Sequence, residues 1–316
     1  MSQVARRTSI HAQHSVNKHV ASNKLGLLVI LAAAAAIIFV GLRQATTSSH
    51  TDTISLHQVK PNSAQPAVLS ATTSEDTRLN GIIEAWAQKQ SFASTVVVKE
   101  LQGKQREASL KATDSIVTAS TFKLYVAYGV LHGIEQGSYG MGTVTNDGKT
   151  IAQDMQNMVV NSDNNAARTL GFMIGWPKLD GLLATQGISH TDTNNYVGTS
   201  TKPVGDKHST AADFALFLQK LQAGALLSSS NTQYLLGLLE KQNYRSGIPA
   251  GVPAGVPAAD KPGWLTPADG IYEYIQNDAG IVYGPKSTYI IVINTSGKSM
   301  TPLADLSRQV YNYLQS

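Results

Sequence analysis

Ser120-Thr121-Phe122-Lys123-Leu124 is the stretch on which the reading of this chain turns. Ser120 and Lys123 are three residues apart, so on a helix starting near Ala119 they share one face and their functional atoms can meet. A serine hydroxyl is a weak nucleophile until a base takes its proton, and a partly desolvated lysine with a lowered pKa can be that base. The free N–H groups at the helix start sit where an oxyanion would develop. Two further short motifs follow, Ser162-Asp163-Asn164 and Lys261-Pro262-Gly263. They add a hydroxyl able to relay a proton and a cation, drawn from positions spread over about 140 residues. Single matches carry little weight. Ser15-Val16-Asn17-Lys18 also fits S-x-x-K, and Lys24-Leu25-Gly26 fits K-x-G, whereas S-D-N occurs once.

The surroundings of the three motifs are more specific than the motifs themselves. Ser120 to Leu124 resembles the S-T-F-K helix start of class A β-lactamases, and Asn161-Ser162-Asp163-Asn164-Asn165-Ala166-Ala167 resembles their S-D-N-x-A-A turn. Gly205-Asp206-Lys207-His208-Ser209-Thr210 is similar to their G-D-x-x-x-T segment, and Arg245 with Ile248-Pro249-Ala250-Gly251 is similar to R-x-x-[IL]-P-A-G. The resemblance to these penicillin-recognising serine hydrolases covers nearly everything after Leu79. It implies an α/β fold of the β-lactamase/transpeptidase type, with an antiparallel sheet flanked by terminal helices and a helical subdomain beside it.

By that resemblance Ser120 is the acylated nucleophile and Lys123 its proton partner. Ser162 relays a proton to the leaving nitrogen, and Asn164 bonds the substrate amide or Lys123. Lys261 supplies positive charge near Ser162 and the substrate carboxylate. Gly263 and Trp264 join Asn164 and Lys261 in substrate binding, and the backbone N–H groups of Ser120 and Trp264 form the oxyanion hole. Arg245 and Asp260 are expected to form a structural ion pair beneath the site, and Asp163 is read as structural.

The coarse pattern agrees with this fold. Leu79, Ile82, Ile83 and Trp86 recur at helical spacing, while Thr95 to Leu101 and Glu107 to Ala112 read as two strands joined by a turn around Gly103. Helical segments are expected at Thr121 to Glu135, Ala152 to Met158, Ala166 to Ile174, Trp176 to Thr185 and Thr210 to Leu221. Strands return around Lys261, at Asp278 to Tyr283 and at Thr288 to Asn294, before a last helix from Pro302 to Leu314. Strands at both ends with helices between them point to one sheet with a helical insertion. Ile248 to Ala258 holds G-V-P-A twice, read as a lengthened loop because two copies are too few for a solenoid.

The chain has 316 residues, enough for a tail and one large domain. Its formal charge of +4 is a property of the first 43 residues, where Arg6, Arg7, Lys18, Lys24 and Arg43 meet no acidic residue. Removing those five from 25 basic residues leaves 20 against 21 acidic ones, so a nucleic-acid footprint is not expected. Cysteine is absent, which excludes disulfides, thiolate metal sites and a Cys nucleophile. No metal-binding His spacing or phosphate-binding glycine loop occurs either, so no cofactor is expected. His132 is read as a packed or solvated histidine.

Leu25 to Leu42 is an uncharged run of 18 residues between Lys24 and Arg43. At about 1.5 Å per residue it spans roughly 27 Å, close to the hydrocarbon thickness of a bilayer. It is read as an uncleaved signal anchor with a cytoplasmic N-terminus, placing the rest of the protein outside. The organisation is then a cytoplasmic tail 1–24, an anchor 25–42, a Ser/Thr/Ala/Gln-rich linker 43–78 and a catalytic domain 79–316, expected to be monomeric.

Two departures from the family pattern bear on function. Class A β-lactamases carry a glutamate, on the loop between S-D-N and G-D-x-x-x-T, that activates the deacylating water. Here Ile188 to Val204 contains no Glu, and the only glutamate between Ser162 and Lys261 is Glu240. Asp192 falls too early in the loop to replace it. Pro262 stands where the family has a Thr or Ser whose hydroxyl binds the substrate carboxylate, and proline fits there only on an edge strand. Asn277-Asp278-Ala279-Gly280-Ile281-Val282-Tyr283 is similar to β-lactamase-like serine hydrolases that also lack the loop glutamate. The expectation is an extracytoplasmic serine hydrolase acting on β-lactams or related cell-wall peptides, with slow deacylation. A D-alanyl-D-alanine peptidase-like enzyme and a non-catalytic peptidoglycan-binding or surface domain remain open as alternatives.

Overall fold

The computed structural model describes residues 74–193, 207–267 and 274–316. The segment 25–42, expected to be an anchor, and its flanks lie outside them; among the described residues no helix is long and apolar enough to cross a membrane. The domain begins at β1 (Ser74–Glu75) and α1 (Thr77–Ala87), a few residues before the Leu79 boundary expected from apolar spacing. The start is set by a polar cap: the Asp76 carboxylate accepts the Leu79 N–H at 2.9 Å.

The sheet then forms from β2 (Ser94–Gln102) and β3 (Arg106–Leu110) early in the chain and β6 (Ala258–Leu265), β7 (Ile275–Tyr283) and β8 (Thr288–Thr295) late in it. Its order is β1-β3-β2-β8-β7-β6, antiparallel except for the two-residue β1 beside β3. β6 is an edge strand, which accommodates Pro262. Both faces are covered, so β8 reads as a near-continuous apolar run whose residues serve two cores in alternation. Ile291 and Ile293 pack toward α1 and the C-terminal helix α8 (Thr301–Leu314), with Leu79, Ile83 and Leu306. Ile290 and Val292 face the helical subdomain.

That subdomain is built around α2 (Lys123–Glu135), buried at ten of its positions from Lys123 to Gly133 and so apolar nearly all round. Around it stand α3 (Ile151–Val160), α4 (Asn164–Ile174), α5 (Trp176–Thr185), α6 (Ala211–Gln222) and α7 (Ser229–Glu240). Two short strands, β4 (Ile116–Val117) and β5 (His208–Ser209), pair with each other and were not expected from the sequence. Two residues are too few to show a period. The expected β7 start at Asp278 is corrected to Ile275: Gln276 and Asn277 are polar but buried, the Gln276 carbonyl accepting from the Thr295 hydroxyl and the Asn277 amide donating to the Val117 and Thr118 carbonyls. The doubled G-V-P-A is, as expected, a connection. Its first copy ends a 3₁₀ turn (Ile248–Gly251) packed on α8, and the second leads into β6.

Candidate active site

The nucleophile segment differs in one respect from the expected helix. Ala119–Phe122 is a 3₁₀ turn, and the α-helix proper begins at Lys123. In a 3₁₀ turn residues i and i+3 eclipse, which stacks Ser120 directly over Lys123. The Lys123 Nζ lies 3.0 Å from Ser120 Oγ. The strand pair β4–β5 delivers this turn, helped by Asn277 on β7, whose amide N–H₂ donates to the Val117 and Thr118 carbonyls at 2.8 and 3.2 Å.

Ser162 enters from the turn between α3 and α4. Its backbone is left-handed, with φ 55°, a conformation that costs a non-glycine residue free energy and is kept where the surroundings enforce it. The enforcement is visible. That turn aims both the Ser162 carbonyl and its hydroxyl at Lys123, at 2.5 and 3.2 Å from Nζ. Asp163 then caps α4 by accepting the Ala166 N–H at 2.8 Å, matching its structural reading. Asn164, one residue further, accepts from Lys123 Nζ through Oδ1 at 2.7 Å.

Lys261 approaches from β6 and completes the cluster. Its Nζ is 3.0 Å from Ser162 Oγ and 3.0 Å from the Pro262 carbonyl. Gly263, two residues further along the strand, has no room for a side chain: a Cβ there would stand 2.6 Å from the Ser120 nitrogen and 2.7 Å from that of Thr121. The bare strand therefore lies directly against the backbone nitrogens of the nucleophile turn. Trp264 follows at the exposed end of β6.

Both lysines are fully buried, and this dominates their protonation. Burial, then repulsion from the Lys261 ammonium, push Lys123 down to about 7 against the pull of Asp163. Burial lowers Lys261 to about 8, against the attraction of Asp260 and Asp278. A neutral Lys123 amine has two N–H bonds for the acceptors that cannot donate, the Ser162 carbonyl and Asn164 Oδ1. Its lone pair then remains for the Ser120 hydroxyl. Ser162 Oγ, between the two amines, can accept a proton from one side and release it on the other.

Beneath β6, Arg245 Nη1 lies 3.6 Å from Asp260 Oδ1, the ion pair expected from sequence. The sequence reading missed Asn277 as the tie to the nucleophile turn, Asp278 as the second carboxylate beside Asp260, and Lys207. The buried Lys207 amine donates to the Thr193 carbonyl and lies 3.7 Å from the Trp176 ring centroid. Asp192 and His208 exchange backbone hydrogen bonds beside it, at 2.9 and 3.1 Å. The glutamate-free stretch is thus tied at its neck, while residues 194–206, including the Gly205-Asp206 half of one motif, lie outside the described residues. His132 is half-buried, edge-on to Tyr128 at 5.9 Å.

Comparison with known proteins agrees with this architecture. The family model described as the beta-lactamase enzyme family matches residues 77–314. No curated protein matches the chain. Among solved structures, PBP-A superposes with a TM-score of 0.67 at 19% identity, covering 78% of this chain and 98% of that one. A point mutant of PBP-A, solved as an acyl-enzyme complex with penicillin G, gives 0.65 at 18% identity over 78% and 99%. The β-lactamase from Sphaerobacter thermophilus gives 0.64 at 20% identity over 74% and 97%. These identities speak for the fold, and the family match over the whole domain gives the membership: the chain belongs to the beta-lactamase enzyme family.

Proposed function

We propose that the protein is a membrane-tethered, extracytoplasmic serine hydrolase that forms a Ser120 acyl-enzyme with β-lactams or related cell-wall peptides and releases the acyl group slowly. The observation that carries this reading is the 3.0 Å contact between Ser120 Oγ and a buried Lys123 amine held near pKa 7. A decayed, purely binding domain has no need of that contact, and a buried lysine is costly to keep.

In acylation Ser120 Oγ attacks the substrate carbonyl carbon while its proton passes to Lys123 Nζ. The developing oxyanion is held by the N–H groups of Ser120 and Trp264, at the start of the nucleophile turn and the end of β6. When the C–N bond breaks, the leaving nitrogen takes the Ser162 hydroxyl proton. That hydroxyl is refilled from the Lys123 ammonium, 3.2 Å away, which returns Lys123 to its neutral form and leaves Lys261, 3.0 Å from Ser162 on the other side, charged. Lys261 also provides the charge that meets a substrate carboxylate.

Deacylation is where the chain departs from an efficient β-lactamase. No glutamate occurs in Ile188 to Val204 to activate water. A peptidase-like enzyme, passing its acyl group to water or an amine without that carboxylate, is the second reading and rests on the same absence in sequence. Anchoring through 25–42 supports action on the outer side of the membrane, where cell-wall substrates occur.

The test is intact-mass measurement of the protein incubated with penicillin G over time. An adduct that persists for minutes or longer is expected, and Ser120→Ala should abolish it. No adduct would overturn the hydrolase reading. Turnover of a chromogenic cephalosporin at about ten per second or more would overturn slow deacylation.

A further inference from the structure

At the end of the sheet where β2 and β7 begin and β8 stops, a pocket of about 260 Å³ opens beside the turn that joins β3 to β4. None of Ser120, Lys123, Ser162 or Lys261 lines it. Its floor holds a polar row, Thr95, Asn294 and Asn277, set side by side on neighbouring strands by their register. The Asn294 amide donates to Thr95 Oγ1 at 3.0 Å, while its Oδ1 is buried with no donor among the described residues. Asn277 spends its N–H₂ on the Val117 and Thr118 carbonyls. The floor is therefore left with an acceptor for an incoming N–H, since a buried carbonyl oxygen without a donor is costly.

The facing wall carries two opposite charges. Lys111 and Asp114 stand at the ends of one turn, closed by the Asp114 N–H on the Lys111 carbonyl at 3.1 Å and pinned to α6 by the Ala212 N–H on the Ala112 carbonyl at 2.9 Å. Lys111 is left-handed, with φ 48°, a conformation that costs a non-glycine residue free energy. Both side chains are exposed, and neither takes part in an ion pair among the described residues. Ile116, Val117 and Ile275 add a small aliphatic surface.

This composition selects one chemistry. No aromatic ring lines the pocket, so a base or a sugar has nothing to stack on, and a phosphate would meet a single ammonium. A carboxylate, an ammonium and a short hydrocarbon together match what is there. The volume equals the share of roughly nine waters, on the scale of a single amino acid and below that of drug-sized pockets.

We propose that this pocket is a second ligand site, distinct from that at Ser120, which takes a free amino acid with a small aliphatic side chain and acts on Ser120 through Asn277. The carboxylate meets Lys111, the ammonium meets Asp114 and gives an N–H toward Asn294 Oδ1, and the side chain rests on the aliphatic surface. Occupancy fills the space beside Asn277 and steadies the amide that holds the nucleophile turn. The effect on Ser120 rests on the hydrolase reading, whereas the binding does not.

The experiment titrates the full-length Ser120→Ala protein by calorimetry with racemic valine and with two probes that each lack one charge, N-acetylvaline and valinamide. Valine should bind saturably, and each probe about tenfold more weakly. Lys111→Met should weaken valine about tenfold and leave valinamide unchanged, and Asp114→Asn should weaken valine and leave N-acetylvaline unchanged. No saturable binding of valine, or binding indifferent to both substitutions in folded protein, would overturn the site. Single-turnover labelling by penicillin, with Ser120 intact, reads the coupling. Saturating valine should raise the acylation rate constant about threefold, and Lys111→Met should remove that rise without changing the rate in the absence of valine. Valine binding with an unchanged rate sinks the coupling alone, and valine binding without any penicillin adduct sinks the hydrolase reading alone.

Discussion

Two buried charge clusters show what this fold does when a carboxylate serves stability and when it lies beside the site. Glu100 on β2 is satisfied on every side: Arg106 gives it Nη2 at 2.8 Å, Nε at 3.0 Å and its backbone N–H at 3.0 Å. The same guanidinium caps the end of α8 through the Leu314 carbonyl at 2.8 Å. Burial alone would raise Glu100, but the bonds from Arg106 outweigh it and hold the carboxyl below its usual value. Asp260 and Asp278, behind Lys261, are the opposite case. Apart from the Asp278 carboxyl, no donor among the described residues bonds either Asp260 oxygen, and Arg245 reaches it only at 3.6 Å from a partly exposed position. Burial, then the Asp278 charge, raise Asp260 well above its usual value despite the pull of Arg245 and Lys261. Asp278 is pushed up to about 7, chiefly by burial, although it accepts the Ile248 N–H at 2.8 Å. The first cluster spends its geometry on stability. The second sets two carboxyls against each other, hydrogen-bonded side chain to side chain, in the buried space behind Lys261.

Removing a lysine of the site and a member of the first cluster gives the sharpest test of that difference. Lys123→Met should slow penicillin acylation by about 10²–10⁴-fold while the protein stays folded, as stopped-flow or intact-mass kinetics would show. Its melting temperature should not fall, because a desolvated amine is removed. Glu100→Ala should do the reverse. It leaves Arg106 buried and unpaired, at a cost of about 3–5 kcal/mol in denaturant unfolding, with acylation by the folded fraction unchanged.

The pH dependence separates the clusters next. Acylation needs Lys123 neutral and Lys261 charged, so the rate constant should climb about tenfold per pH unit below about 7 and fall above about 8. A flat profile between pH 5 and 9 would remove both lysines from the chemistry. The smallest effect expected is on stability. A carboxyl whose folded pKa is raised costs nothing below the unfolded value of 3.8, and its cost appears as pH rises from there through about 7. Asp278→Asn should flatten that fall in unfolding free energy between pH 4 and 7. It also offers Asp260 an N–H donor. An unchanged slope would place the titration elsewhere.

The sequence made the site legible where chemistry is local. Ser120 and Lys123 meet because three residues separate them, Asp163 caps because it opens a helix, and Pro262 tolerates its strand because that strand is at the edge. It was silent wherever register decides. Asn277 reaches the nucleophile turn only because β7 sets it opposite Gly263, and Asp278 nears Asp260 only through the same pairing, opposite Pro262. No spacing in one strand announces what lies across from it. The left-handed Ser162 was hidden for another reason: serine seldom adopts that conformation, and only the two lysines arriving from distant segments enforce it.

The backbone bonds around Lys207 and His208 have a consequence for how a change there is transmitted. Asp192 and His208 exchange both of theirs, and the Thr118 N–H donates to the Lys207 carbonyl at 2.9 Å, so a substitution that shifts this short strand moves the backbone two residues ahead of Ser120 without passing through the helical core. The aim of the Ser120 hydroxyl is thereby set from outside the motif that contains it.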